Sequence, residues 1–485
     1  MDLKKRSIVI AIMVAMFLGA VEGTIVTTAI PTIVKDLNRF QLISWVFSIY
    51  LLTSAISTPI YGKFADLYGR KNTLTVGIVI FLIGSSLCGL SRSMYQLIIF
   101  RAIQGIGAGA IFTIAYTIVG DVFSLSERGK VQGWISTTWG VASLIGPFLG
   151  GFLIDFLSWH WIFFINIPFG ILSIILLHRN LKENFQRKKH KIDYAGIVML
   201  SSAILALLYG TLSGGQNYNW YSYTIVICLI LASFFLLVFY FIEKRAEEPI
   251  IPFEIFTKTN TIVNIISFLA SAILIGVDVY MPIYMQNVLG FGATISGLSM
   301  APMSVSWLIS SVICGKAIPK YGERVVVAIS TFILALSCVL LPTLNYNSPL
   351  ILVIIYIFIM GFGFGGSFTT LTIVVQSSVG YRKRGAATAA NSLVRTLGQT
   401  IGVSILGSIF NSSIAKYFIN LGLKGIDPSN LYSTWNLNNG LWSQHIKLSL
   451  NSGLHAIFWG FVLVVIICLV LSLTLPSDLK DELLL

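Results

Sequence analysis

Charged residues are scarce in this chain: Asp, Glu, Lys and Arg make up 11% of its 485 residues, against 56% hydrophobic residues. The mean hydropathy is +0.85. A soluble globular protein carries about twice that share of charge, so the composition excludes one and indicates that most of the chain lies in lipid. The net charge of +13 does not indicate nucleic-acid binding, because the basic residues stand in short loops between apolar runs.

Residue groupings that form disulfides, bind metals or bind nucleotides are also missing. The five cysteines fall singly inside apolar runs, without CxxC or paired loop cysteines. The five histidines form no HExxH motif and no i,i+4 pair, so we expect no metal site. No GxxxxGK[ST] phosphate-binding motif occurs, so we expect no cofactor and no use of ATP.

Long apolar runs are what the chain has instead, and they predict an all-α membrane protein with 14 transmembrane helices. About 20 residues cross a hydrocarbon core of ~30 Å. The first run extends to about Ile30, too long for the core of a signal peptide, so we interpret it as an uncleaved helix. The runs cover residues 7–30, 43–61, 74–90, 96–118, 132–155, 161–177, 193–213, 223–242, 261–284, 294–314, 326–343, 349–375, 386–409 and 453–473.

The distribution of basic residues predicts the orientation in a bacterial-type plasma membrane. Of the 32 Lys and Arg residues, 24 fall in the segments on one side, six on the other, and Arg101 and Arg395 lie inside helices. Basic residues collect on the cytoplasmic side, so both termini are expected there. The segment near 410–452 is then outside, and the sequence indicates no function for it.

An internal repeat predicts the domain organisation. At an offset of 256 residues Glu22 matches Asp278, and at 253 Gly62 matches Gly315. We therefore expect two six-helix halves, residues 1–178 and 261–485, with two inserted linker helices and a basic loop in 179–260. In such transporters the substrate binds at the midplane between the halves. Further matches at 256 pair Gly105, Gly107, Gly109, Phe112, Arg128 and Gly146 with Gly361, Gly363, Gly365, Phe368, Arg384 and Gly402.

The stretch from Gly62 to Lys71, GKFADLYGRK, connects the second and third runs. A plain cytoplasmic loop needs neither an acid nor spaced glycines. The stretch resembles the loop between helices 2 and 3 that marks the major facilitator superfamily. That resemblance implies that Asp66 caps a helix of the other half, starting near Gly385, when the cytoplasmic side is closed. The expected latch comprises Gly62, Asp66, Gly69, Arg70 and Arg128, with Arg128 as a further partner at the contact with the other half.

An acid in the first helix is the leading candidate for ion coupling. Glu22 lies in LGAVEGTIVTTAIP, residues 18–31, which resembles the first-helix signature D-x-T-I-V-x-x-A-L-P of the fourteen-helix drug:proton antiporters (EmrB/QacA type). The chain departs from it with Glu for Asp and Ile for Leu, and it keeps the acid. An acid inside a membrane helix is costly and indicates function. The resemblance implies proton exchange at Glu22; the alternative is a permanent structural ion pair.

Arg101 is the expected partner of Glu22. It begins RAIQGIG, which resembles the fourth-helix motif R-x-x-Q-G-x-G of the superfamily. Both residues are expected roughly 8–12 Å below the outer ends of their helices. The alternative is a packing helix whose single Arg extends outward to the interface.

The fifth helix carries GVASLIGPFLGG, residues 140–151. It resembles G-x(5)-G-P-x-x-G-G, which marks antiporters within the superfamily and implies export. We expect Pro147 to bend the helix and Gly140, Gly146, Gly150 and Gly151 to allow close contact with the other half. A plain kinked packing helix is the alternative.

Two charges in the second half, Asp278 and Arg395, have alternative roles. Asp278 is a second candidate for proton coupling or cation recognition, with a structural role as the alternative. Arg395 either pairs with Asp278 or contacts substrate. On the second helix Tyr50, Ser54 and Thr58 share one face and are candidate cavity residues, with Glu22, Arg395 and, nearer the outer end, Trp45.

The resemblance implies export of lipophilic, often cationic, amphipathic compounds in exchange for protons, with the protein functional as a monomer. A dedicated exporter of an endogenous metabolite would have the same sequence features. A proton-coupled nutrient or peptide importer is disfavoured, because that branch carries E-x-x-E-R-F in helix 1 and this chain has one acid there. A membrane enzyme or a channel is disfavoured by the missing catalytic constellation and by the two-half repeat.

Overall fold

The computed structural model describes residues 3–37, 43–181, 193–217, 222–246, 249, 251–380, 383–422 and 440–476. These residues form α-helices joined by short turns, without strands in the described ranges. The helices are α1 (Leu3–Leu37), α2 (Ile43–Tyr68), α3 (Arg70–Gly89), α4 (Met94–Val122), α5 (Leu125–Phe156), α6 (Trp161–Phe164), α7 (Asn166–Asn180), α8 (Tyr194–Asn217), α9 (Tyr223–Glu243), α10 (Lys258–Ile283), α11 (Ala293–Tyr321), α12 (Glu323–Leu340), α13 (Leu350–Ser377), α14 (Arg384–Asn420) and α15 (Gly440–Leu473). Short 3₁₀ turns at Phe253–Ile255 and Leu341–Thr343 and a π-helical turn at Tyr284–Val288 complete the elements.

Twelve segments of the described chain are long and apolar enough to cross a membrane. One of them, Trp161–Asn180, joins α6 and α7. Helices α2 and α5, of 26 and 32 residues, lie outside this set of twelve. The all-helical membrane fold is therefore confirmed, while the predicted number of 14 crossings is not.

Helix ends are set by local chemistry. Ser124 and Glu127 form a capping box at the start of α5, and Thr257 accepts the Asn260 N–H at the start of α10. Gly69 joins α2 to α3 and Gly322 joins α11 to α12, with φ of 91° and 79°. These left-handed values favour glycine, and they let two long helices follow each other through a single residue.

Helices α1–α7, which we call the first set, and helices α10–α15, which we call the second set, pack in the same pattern. In the first set α1 packs on α5, α2 on α4, and α3 on α4; in the second set α10 packs on α14, α11 on α13, and α12 on α13. Each set encloses its own apolar core, one including Ile12, Phe81 and Ile114 and the other Tyr284, Phe364 and Phe458. The domain limits at 178 and 260 remain a prediction.

The two sets meet through α5 with α11 and through α2 with α14, while α8 packs on α9 and contacts α2 and α14. We call the end of the bundle that holds the α2–α3 and α11–α12 turns the basic end, because Arg70, Arg128 and Arg384 lie there. The two sets contact each other at this end, where Gly62 of α2 faces α14 and Gly129 of α5 faces α11.

Candidate functional site

Glu22 and Arg101 form an ion pair inside the first set of helices. Arg101 Nη1 donates to Glu22 Oε1 and, at 3.0 Å, to Gln104 Oε1, while its Nε donates to the Val46 carbonyl at 3.2 Å. Glu22 is 0% and Arg101 2% exposed. The pairing expected from sequence depth is present, and the pair is sealed from solvent in this conformation.

Asn166 completes this pair, and the sequence prediction missed it. Its Nδ2 donates to Glu22 Oε2 at 2.7 Å and to Ser85 Oγ at 2.9 Å. Each carboxylate oxygen of Glu22 therefore has its own donor, which compensates for burial of the charge. The available signal was an amide at the start of a helix within an apolar segment, since Asn166 follows Ile165 and precedes Ile167.

The candidate cavity residues of α2 separate into three environments. The Tyr50 ring lies under the Arg101 guanidinium, 4.3 Å from its centroid, so Tyr50 belongs to the ion-pair cluster. Thr58 is buried, and its hydroxyl donates to the Ser54 carbonyl at 2.8 Å within the same helix. Trp45 packs against Tyr209 of α8 with a ring distance of 5.9 Å. A role in substrate binding stays a prediction for these residues.

At the basic end, Asp66 lies at the first turn of α14. Asp66 Oδ2 accepts the Ala386 N–H at 3.2 Å, and a Cβ on Gly385 would fall 2.4 Å from Asp66 Oδ1. Gly62 lies one turn earlier on α2, where an added Cβ would fall 2.4 Å from Ala389 Cβ. The contact predicted between Asp66 and the helix that starts near Gly385 is therefore present, and its action as a latch remains a prediction.

Arg70, a predicted member of the latch, is the guanidinium that contacts Asp66, whereas Arg128, expected as a further partner, makes its hydrogen bonds elsewhere. Arg70 Nη2 donates to Asp66 Oδ1 at 2.8 Å, and its Nε donates to Asp121 Oδ2 at 2.9 Å. Arg128 instead donates to the carbonyls of Phe123 and Gly120, at 3.0 and 2.7 Å. The short segment between α4 and α5 turns Arg128 back onto the end of α4, away from α2.

Asp121 and Arg384 extend this cluster and were not singled out from sequence as members of it. Arg384 Nη1 donates to the Gly120 carbonyl at 2.9 Å, which crosses between the two sets of helices. Burial raises the pKa of the Asp66 carboxyl to about 7; Asp121 also raises it, while Arg70 lowers it. Asp66 lies beyond the apolar run 43–61, on the polar side of this end.

In the second half, the end of α11 that repeats the Gly62–Gly69 stretch approaches α5 without an acid at the contact. Gly315 on α11 faces Gly129 on α5, and a Cβ on either would fall 2.2–2.3 Å from the other's Cα. Pro319 stands where the first copy has Asp66. The start of α5 is capped by its own Ser124 and Glu127, and Lys5 of α1 contacts Glu127 at 2.7 Å.

The glycine motif of α5 contacts two different neighbours. Gly140 faces Ser304 of α11, where an added Cβ would fall 3.3 Å from Ser304 Cβ, as expected for contact with the other half. Gly146 instead faces Thr24 of α1, so its expected contact with the other half is wrong. Thr24 Oγ1 donates to the Ala142 carbonyl at 3.1 Å, which fixes α1 against α5. Helix α5 continues through positions 147, 150 and 151, and the bend predicted at Pro147 stays a prediction.

Asp278 and Arg395 do not pair with each other among the described residues. Asp278 on α10 is exposed, and no ion pair is found for it in the described ranges. Arg395 on α14 donates to Thr372 Oγ1 at 2.8 Å and lies over the Phe368 ring, 4.8 Å from its centroid. The paired charges of the first set thus contrast with two separate charges in the second.

A scan against protein-family models matches the Major Facilitator Superfamily over residues 12–403. The chain is 38% identical over 405 residues to "Multidrug resistance protein 3" of Bacillus subtilis (strain 168), covering 83% of this chain and 79% of that protein. It is 30% identical over 436 residues to "Multidrug efflux pump SdrM" of Staphylococcus aureus (strain N315), covering 89% and 94%.

Solved structures show the same fold. The human organic anion transporter MFSD10 (TETRAN) superposes with a TM-score of 0.70 at 13% identity, covering 97% of this chain and 100% of that one. The proton:xylose symporter XylE superposes with a TM-score of 0.61 at 16% identity, covering 94% and 95%. The family match and the identities over most of the chain agree with the helical packing, and the chain belongs to the Major Facilitator Superfamily, a family of transporters rather than enzymes.

Proposed function

We propose that this protein exports lipophilic compounds, cations among them, across the plasma membrane in exchange for protons. The observation that carries the proposal is the sealed cluster of Glu22, Arg101 and Asn166 in a chain whose relatives are named as multidrug transporters. An acid buried in a membrane helix is costly, and such residues mark substrate or ion pathways and proton relays.

Export requires the protein to alternate between two conformations. In the present one, α2 meets α14 and α5 meets α11 at the basic end, and Glu22 is shielded from water. We propose that the basic end faces the cytoplasm, with both termini there, and that α2 and α5 cross the membrane to give fourteen crossings. The surplus of basic residues on this side and the lengths of α2 and α5 support this orientation.

Proton exchange requires Glu22 to leave its two donors. In the present structure Arg101 donates to Oε1 of Glu22 and Asn166 donates to Oε2, so both carboxylate oxygens are occupied. A conformational change that separates Glu22 from Arg101, or a substrate that competes for either residue, would free the carboxylate to accept a proton. Substrate and proton would then bind in alternation, which is the requirement for antiport.

The membrane potential sets a lower limit on the number of protons. Each charge moved across it is worth ~2.3 kcal/mol per 100 mV, favourable for inward protons and unfavourable for outward cations. Exporting a monovalent cation against this potential therefore needs at least one proton per cycle.

Proton-driven transport by the Glu22→Gln variant tests the proposal. Inside-out vesicles with an imposed pH gradient should accumulate ethidium when they contain the wild type. The variant should lose this accumulation, and Glu254→Gln, which removes an acid whose side chain is 75% exposed, should keep it. Gradient-driven accumulation at the wild-type rate by Glu22→Gln would remove Glu22 from the mechanism.

A further inference from the structure

Arg395 is a cation held inside the bundle by neutral partners. Its Nη2 donates to Thr372 Oγ1 at 2.8 Å and to the Phe368 carbonyl at 3.4 Å. Its Nε is buried and finds no acceptor in the described part of the chain.

Arg101 provides the internal comparison. It is neutralised by Glu22 and uses its Nη1 and Nε on Glu22, Gln104 and the Val46 carbonyl. A buried charge with no counter-charge costs free energy in a membrane interior, so such residues are concentrated at functional sites. Arg395 therefore has unused capacity to bind an anionic group, whereas Arg101 does not.

Aromatic rings frame Arg395 on the side of the second half. The Phe368 ring lies under the guanidinium at 4.8 Å. Trp307 stacks on Phe368 with centroids 5.5 Å apart and an interplanar angle of 11°, and on Phe364 at 5.8 Å. Phe364 and Phe368 are 0% and 6% exposed and Trp307 is partly exposed. The stack therefore places an apolar aromatic wall next to one cationic fork, a combination suited to a planar molecule with an acidic substituent.

The first half has aromatic rings at the equivalent positions and no arginine there. Trp139 and Arg395 are 256 residues apart, the offset of the internal repeat, as are Phe112 and Phe368. Trp139 stacks on Phe112 at 5.2 Å and 21°. Trp139 is 43% exposed, so its ring is accessible. The repeat thus places a ring in one half and a cation in the other at the same structural position.

We propose that Arg395 binds a carboxylate group of the substrate while the neighbouring rings bind its aromatic body. The transporter would then also accept aromatic acids and zwitterions. This assignment rests on the export function proposed above, and it adds a chemical class to it. A guanidinium binds a carboxylate through two parallel N–H···O bonds, and the buried Nε supplies the donor that is unused in the present structure.

Binding of two matched dyes tests the assignment without a proton gradient. Rhodamine B carries a free carboxylate and rhodamine B ethyl ester does not, while the fused ring system is the same. Fluorescence anisotropy with the purified full-length protein at pH 7.5 gives a Kd for each dye. The variants are Arg395→Gln, Arg395→Lys and the matched control Arg92→Gln, which removes an exposed positive charge in the turn before α4.

The wild type should bind the acid more tightly than the ester. The ratio of the two affinities should fall about tenfold or more in Arg395→Gln, because a charge-assisted hydrogen bond is lost. Arg395→Lys should keep part of the preference through its charge, and Arg92→Gln should keep all of it. If Arg395→Gln does not fold, Arg395→Lys still tests the assignment. Lysine cannot form the two parallel N–H···O bonds to a carboxylate, so the ratio of affinity for the acid to affinity for the ester should still fall.

Equal affinities for acid and ester in the wild type, no binding of either dye, or a ratio unchanged by both Arg395 variants would overturn the assignment. Failure of the export function gives a different result. The protein would then show an acid preference that depends on Arg395 but would move neither dye when a pH gradient is imposed.

Discussion

Gly129 and Gly315 meet at the basic end with no side chain between them, since a Cβ on either would lie 2.2–2.3 Å from the other's Cα. Gly62 and Gly385 are the pair related to them by the offsets of the internal repeat, and a Cβ on Gly62 would lie 2.4 Å from Ala389 Cβ and 3.1 Å from the Gly385 carbonyl oxygen. The contact of α2 with α14 and the contact of α5 with α11 therefore close this end at matching points of the two halves. In the α2–α14 contact Asp66 adds a polar interaction that Pro319 cannot supply in the α5–α11 contact.

Gly129→Ala should open the basic end. The added methyl group meets backbone rather than a flexible side chain, and overpacking of this kind costs about 1–3 kcal/mol. We expect a longer distance between spin labels placed at positions 71 and 320 of a variant in which Cys228 is replaced by serine. Gly460→Ala is the matched control, because its Cβ would meet nothing within 4 Å. Identical distance distributions in Gly129→Ala and the control would show that this contact does not limit closure.

The closed basic end should respond to pH through Asp66. Burial raises the pKa of its carboxyl to about 7 in the closed conformation, and exposure to water on opening would return it to about 3.9. The conformation with the higher pKa binds the proton more tightly, so lowering the pH favours closure and raising it favours opening. Between pH 6 and 8 the open-to-closed ratio should rise about tenfold.

The same pair of spin labels measures this shift. Asp66→Asn should abolish the pH dependence between pH 6 and 8 and leave the Kd for substrate nearly unchanged. Glu323→Gln, which removes an acid at the start of α12, should retain it. A pH dependence of opposite sign, or one that persists in Asp66→Asn, would show that another group controls this end.

Asn166→Ala should destabilise the protein although residue 166 lies outside every motif identified in the sequence. The change leaves Glu22 Oε2 without its donor at 2.7 Å, and an unsatisfied buried acceptor costs about 1–3 kcal/mol. Thermal unfolding in detergent should show a lower midpoint than for the wild type. Asn347→Ala, an exposed amide between α12 and α13, serves as the control. Equal midpoints for the two variants would mean that Asn166 does not stabilise the buried carboxylate.

Depth in the membrane was the part of the site that the sequence predicted best. Counting residues from helix ends placed Glu22 and Arg101 at similar depth. The resemblance to the superfamily implied that Asp66 caps a helix of the other half, and the repeat identified that helix as the one starting near Gly385. Both contacts are present. Depth is readable because each helical residue rises by a fixed 1.5 Å.

Orientation around each helix axis was not readable from one sequence. Gly146 faces α1 instead of the other half, and Arg128 faces the end of α4 instead of Asp66. Asn166 was missed because its partner is 144 residues away in the chain, and nothing local marks that contact. The predicted number of 14 crossings is not confirmed, because the described residues contain twelve apolar spans and helices α2 and α5, of 26 and 32 residues, lie outside them.

Proton movement triggered by substrate tests the central claim most directly. Vesicles holding a pH indicator and an imposed pH gradient would receive ethidium, and the internal pH would be followed for wild type and Glu22→Gln. We predict a substrate-induced proton flux in the wild type that is absent from the variant, while the variant still binds ethidium. An equal flux in both proteins, or none in a wild type that transports ethidium, would contradict proton exchange at Glu22.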